Sequence, residues 1–134
     1  MRSFTLFIII AISLLVSSCK KEEERSERFL FLTTPIWESQ GLLANGADAS
    51  GPGGILENFK GDAKFKTDGT GYFGSYTGTW RLSNFDTELT IIPDSNPLPI
   101  ICNIIDLSAT SLVVSTQATV NQVSYDIRMT FSAK

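Results

Sequence analysis

The last stretch of the chain, Val123-Ser124-Tyr125-Asp126-Ile127-Arg128-Met129-Thr130-Phe131, sets an apolar residue at every second position with a polar one between. Successive side chains of a β-strand point to opposite faces, so this pattern reads as a strand with one buried and one wet face. Shorter runs of the same kind lie near 35–43, 56–66, 70–73, 76–82, 87–92, 99–107 and 112–119, and this one near 123–132. Gly, Pro, Asn, Asp or Ser separate them, and no stretch from Phe29 onward sustains a helical period. The pattern predicts an antiparallel all-β domain of about eight short strands.

Hairpin loops fix which faces match, because a one-residue slip inverts every side chain. Leu82 and Thr87 flank the loop Ser83-Asn84-Phe85-Asp86, which pairs Trp80 with Leu89 and puts Trp80, Leu82, Leu89 and Ile91 on one face. Phe73-Gly74-Ser75-Tyr76 has glycine where a type II′ turn wants it, so Phe73 and Tyr76 join that face. Phe65 reaches it only through a three-residue loop, Asp68-Gly69-Thr70; then Phe59 and Ala63 also point in, and Lys60, Asp62, Lys64 and Lys66 point to water. Ser108–Ser111 pairs Leu107 with Leu112 and aligns Ile101, Asn103 and Ile105 with Val114 and Thr116. Ile100 and Ile104 then lie outside, covered either by a partner or by the segment Phe29-Leu30-Phe31. In the last strand Val123, Tyr125, Ile127, Met129 and Phe131 face inward. One apolar face running through about eight meandering strands is buried best by an up-and-down barrel, which also removes the sheet's edges. A two-sheet β-sandwich is the alternative.

The other end of the chain is different in kind. Arg2, an apolar run from Phe4 to Val16 and the small residues Ser17 and Ser18 form the three-part layout of a secretory signal. The run is shorter than the roughly twenty residues of a membrane span. Val16-Ser17-Ser18-Cys19 resembles the lipobox of bacterial lipoproteins, which implies cleavage before Cys19 and fatty acyl chains on that residue. Lys20-Lys21-Glu22-Glu23-Glu24 resembles the export tag of Bacteroidetes-type surface lipoproteins, which implies an outer-membrane, lipid-anchored protein facing the cell exterior. Independently of that resemblance, such clustered charge reads as a solvated tether. The expected organisation is therefore a signal peptide over 1–18, a lipidated charged tether over 19–28 and one barrel domain over 29–134.

Composition removes several kinds of chemistry. The chain has no histidine, so Ser-His or Cys-His nucleophiles and histidine metal sites are absent. Asp94-Ser95-Asn96 begins like a calcium loop but lacks the glycine and terminal glutamate of that pattern, and it reads as a turn before Pro97. The acids Glu38, Asp62, Asp106 and Asp126 are scattered along the sequence. No catalytic residue, metal site or cofactor is expected. With 11 basic against 14 acidic residues, the chain lacks the basic stripe that nucleic acid requires. Once Cys19 is acylated, Cys102 stands alone among apolar neighbours and reads as a small buried hydrophobe.

Phe65-x-x-Asp68-Gly69, Gly78-x-Trp80-x-Leu82, Leu89-x-Ile91, Ile104-x-x-Leu107 and Leu112-x-Val114, in that order, resemble the bacterial lipocalin-like domains of small lipoproteins. The resemblance spans roughly Trp37 to Phe131 and implies a lipocalin-like barrel with the Gly-rich loop Ala44–Gly54 over its mouth, as a lid or as a plain connector. It implies a binding module for a small hydrophobic or amphipathic ligand, lined by Trp37, Phe65, Phe73, Trp80, Tyr125 and Met129. The alternative is that these large residues fill the barrel, and that its outside docks an envelope protein or a glycan.

Overall fold

The computed structural model describes residues 25–95 and 98–134. The signal segment, Cys19 and the run Lys20–Glu24 lie outside the described residues, as do Asn96 and Pro97 of the expected turn. A short helix, α1 (Glu27–Thr33), is followed by strands β1 (Trp37–Ala44), β2 (Ala47–Asp48), β3 (Asp62–Phe65), β4 (Thr70–Phe73) and β5 (Tyr76–Ser83). Then come β6 (Glu88–Pro93), β7 (Ile100–Leu107), β8 (Ser111–Val120) and β9 (Val123–Ala133). Every neighbouring pair is antiparallel in the order β1-β3-β4-β5-β6-β7-β8-β9, and β9 returns to pair with β1 from Trp37↔Ala133 to Ala44↔Ile127. The result is a closed eight-stranded barrel, with β2 a short extension folded back on β1.

Period-two patterning explains most of the core. Phe65, Phe73, Trp80, Leu89, Ile91, Leu112, Val114, Ile127, Met129 and Phe131 are all buried in one cluster, as the parity argument requires. Phe73 faces Tyr76 across a two-residue turn whose Gly74 has φ +64, and Leu107 faces Leu112, both as expected.

Five local expectations are corrected. Trp80 opposes Ile91 instead of Leu89, because β5 continues through Ser83 and the loop becomes Asn84–Thr87; the faces are unchanged. The β3–β4 loop has three residues but is Thr67-Asp68-Gly69, closed by the Lys66 N–H to the Thr70 carbonyl. Its Asp68 carboxylate takes the Thr70 hydroxyl and backbone N–H at 2.7 and 3.0 Å, which hold that carboxyl below its ordinary range. The run expected as a strand over 56–66 begins as a 3-10 turn, Glu57–Phe59, and only Asp62–Phe65 is strand. In β7 a bulge between Ile104 and Asp106 inverts the parity. Cys102 is consequently fully buried and Ile100 and Ile104 pack on the core, while Ile101 and Ile105 are 53% and 52% exposed and Asn103 is outside. Finally, Val123 begins β9 and is 48% exposed, where β8 and β9 extend beyond their neighbours.

The segment Phe29–Phe31, expected as a cover for Ile100 and Ile104, is the middle of α1. Ser26 caps it by accepting the Phe29 N–H, and Lys64 closes its far end, donating to the carbonyls of Thr33, Thr34 and Pro35 at 2.7, 3.0 and 3.3 Å. A cation there satisfies carbonyls left open by the last turn and suits the helix dipole. Lys64 is thus outward-facing but half-buried.

Candidate functional site: the barrel mouth

The two ends of the barrel are built differently. At the closed end, the Trp37 indole donates to the Leu32 carbonyl at 3.0 Å and the Trp80 indole to the Lys66 carbonyl at 2.9 Å. Phe29 packs on Trp80 with centroids 5.7 Å apart, and Phe65 meets the same ring edge-on at 5.6 Å. Both tryptophans therefore have their one donor satisfied and their rings enclosed, so they seal this end instead of lining a binding space.

Inside, large side chains leave almost no room. The central void measures ≈ 10 Å³ and is bordered by Phe59, Ala63, Phe65, Phe73, Leu89, Ile91, Leu112, Val114, Met129 and Phe131. That is space for about one water molecule. Phe65 and Phe73 pack ring to ring at 5.2 Å and fill what a ligand would otherwise occupy.

The open end is another matter. Residues 45–61 fold across it, held by the Ala49 N–H to the Leu42 carbonyl, the Leu56 N–H to the Ala49 carbonyl and the Ser75 N–H to the Asn58 carbonyl. Leu56 and Phe59 turn inward from this loop and are buried, with the Phe59 ring 5.0 Å from Tyr76. The Gly-rich segment is therefore an ordered lid. Beside it lies a half-open cleft of ≈ 540 Å³, walled by Ile55, Leu56, Phe59, Tyr76, Leu98, Ile100, Ala118, Val120, Ile127 and Met129, with Thr116, Gln117 and Thr119 as polar margin. Phe59 and Met129 border both the cleft and the inner void, so they are the partition between them. A second hollow of ≈ 540 Å³ lies on the outer wall, where the β7–β8 ladder stops at Asn103↔Ser115; Ile101, Thr116, Gln117 and Ile127 border both. There the Thr116 hydroxyl donates to the Ile101 carbonyl at 2.8 Å.

Of the six residues expected to line a ligand space, Met129 alone reaches the cleft. Phe65 and Phe73 border the inner void, Trp37 and Trp80 belong to the closed end, and Tyr125 is half-buried against the core. The apolar pair Ile55-Leu56, set inside a Gly-rich stretch, was the available sequence signal for the lid's contribution. Among the described residues, no three or more His, Cys, Asp or Glu side chains gather where they could hold a metal ion. Burial alone pushes the Cys102 thiol from 9.0 up to about 12.

An eight-stranded up-and-down barrel, with a helix closing one end and a long first loop over the other, is the lipocalin fold. Two solved structures of bovine odorant-binding protein are similar to it: one in complex with a selenium-containing odorant, the other with its natural ligand. Their TM-scores are 0.53 and 0.52 and their identities 15% and 16%; each alignment covers 86% of this chain, and 78% and 77% of theirs. The likeness is one of fold. No protein-family model matches the chain, and no curated protein matches its sequence.

Proposed function

We propose that the chain is a lipoprotein held on the outer membrane through acyl chains on Cys19, facing the exterior, whose barrel is a non-catalytic binding module for a small amphipathic ligand. The observation that carries the binding reading is the mouth cleft of ≈ 540 Å³ with its apolar floor of Leu56, Phe59, Ile100 and Met129 and its polar margin of Tyr76, Thr116 and Gln117. That combination suits a molecule with an apolar body and one hydrogen-bonding end. The odorant-binding structures, which carry small ligands on the same fold, support it. The ligand sits at the mouth, since the interior is full.

The test is displacement of a fluorescent fatty-chain probe, together with native mass spectrometry of protein purified from cells. Ala118→Trp, which places an indole in the cleft, is expected to abolish probe binding; equal binding by this folded variant would refute the site. For the anchor, Cys19→Ala is expected to release the protein from the membrane fraction, and continued retention would refute lipidation.

The outward Ile101 and Ile105, both more than half exposed on one strand, favour a second reading in which β7 docks an envelope protein or a glycan. Under that reading, Ile105→Ser, which lies outside the cleft, abolishes partner capture on intact cells while probe binding at the mouth is unchanged.

A further inference from the structure

The closed end carries the most exposed aromatic residue of the fold. Phe85 is 95% exposed at the tip of the β5–β6 turn, where Asn84, Phe85 and Asp86 all adopt positive φ, at 54, 58 and 62°. Residues with a Cβ seldom enter that region. The turn is tied to the N-terminal segment: Ser26 Oγ donates to Asp86 Oδ2 at 2.6 Å, and Arg28 Nε donates to the Asp86 carbonyl at 2.8 Å. The chain leading back to Cys19 therefore leaves the barrel beside Phe85. Cys19 is seven residues before Ser26, and such a length reaches at most about 25 Å. Leu30 of α1 and Ile36, just before β1, are exposed at the same end.

We propose that the closed end rests on the bilayer that holds the Cys19 acyl chains, with Phe85 seated among the lipid headgroups and the mouth cleft opening away from the membrane. This inference rests on the lipid-anchor reading above and adds an orientation to it: the ligand arrives from the aqueous side. A phenylalanine side chain gains by burying its ring at the headgroup–acyl boundary, and a second attachment beside the acyl chains limits rotation of the barrel. Charges at this end are mixed, with Arg25, Arg28, Lys66 and Arg81 against Glu27, Asp68, Asp86 and Glu88, so an uncharged lipid surface suffices.

The test uses the full acylated chain in phosphatidylcholine vesicles, with an environment-sensitive fluorophore on Phe85→Cys or, near the mouth, on Ser124→Cys. Cys102 is fully buried and does not compete for the label. On vesicles, the label at position 85 is expected to lose at least half its emission to nitroxides on the lipid headgroups. It is also expected to be about threefold less accessible to iodide than in the Cys19→Ala protein in solution, while the label at 124 shows neither change. If the label at 85 remains as accessible to iodide as in solution, or the label at 124 reaches the nitroxides, the orientation is overturned with the anchor still standing. A protein whose mass shows no acyl chain on Cys19, or that does not float with the vesicles, overturns both.

Discussion

Phe59 separates the mouth cleft from the packed interior, and its removal should change stability and ligand preference together. The side chain is 8% exposed, packs at a tilt against Tyr76 and hangs from the lid's one-turn 3-10 helix. Truncating a buried phenylalanine to alanine costs about 3–5 kcal/mol, and the low end applies because the hole opens to the cleft instead of staying empty. At about 5 °C per kcal/mol for a domain of this size, a loss of about 3 kcal/mol lowers Tm by about 15 °C. The same change joins the cleft to the ≈ 10 Å³ inner void and gives an alkyl chain somewhere deeper to go. At about 0.8 kcal/mol per buried methylene, roughly three more buried methylenes are worth about 2.4 kcal/mol, or about sixty-fold in affinity. Thermal melts and probe displacement by single-chain amphiphiles of increasing length measure both effects. Phe59→Ala should prefer longer chains than the parent protein does. A destabilised variant with unchanged chain-length preference would refute the partition, and an unchanged Tm would refute the packing itself.

Further outcomes follow from single contacts. Alkylation of native Cys102 by iodoacetamide should be negligible near pH 8 and complete in urea; fast native labelling would place the thiol outside the core. Because burial raises its folded-state pKa from 9.0 to about 12, the folded protein holds this proton more tightly than the unfolded chain. Its stabilising effect should be intact below pH 9 and fade as pH climbs from there toward 12, a slope that Cys102→Ala should remove. In Gly78→Ala the new Cβ would lie 2.1 Å from the Ile92 carbonyl oxygen and 2.9 Å from Pro93 Cα, so β5 and β6 must part; urea melts should show a loss of about 3 kcal/mol. Lys64→Met keeps the stem but strips the helix end of its donor. It should cost about 1 kcal/mol in urea, with faster hydrogen exchange confined to α1.

What the sequence discloses depends on whether a residue's neighbours break the symmetry between faces. In β9 the polar Ser124, Asp126, Arg128 and Thr130 mark the outside, so Ile127, Met129 and Phe131 were placed correctly. In β7 the run Ile100-Ile101-Cys102-Asn103-Ile104-Ile105 offers an apolar side chain to either face, and a bulge of one residue decides the matter without leaving a trace in composition. Helix α1 escaped notice because seven residues hold two turns, too few to show a period, although Ser26 followed by Glu27 is a cap signal. The lid was mistaken in part for strand because Phe59 carries the alternation of Ala63 and Phe65 backwards across Gly61. Gly61, at φ +115, breaks the chain between the two conformations. The mouth site was legible only at Met129. Its other walls come from Ile55, Leu56, Ile100 and Ala118, residues far apart in sequence that only closure of the barrel assembles.

Filling the barrel has a consequence for how tightly any ligand can be held. Leu56 and Phe59 already cover the interior, so a ligand that goes deeper must lift them and expose their apolar surface, at about 1.5–3 kcal/mol for each side chain fully uncovered. A ligand confined to the cleft avoids that cost but stays partly in water, because the cleft is open along the β7–β8 gap. The lid is therefore a competitor for the same apolar surface as the ligand, and binding that displaces it gains only the difference between the two. Lid variants that weaken its hold, such as Leu56→Ala, should then shift preference toward long chains, while short ones lose the contact that Leu56 makes in the cleft floor. Ligands too short to reach beneath the lid gain nothing from its departure.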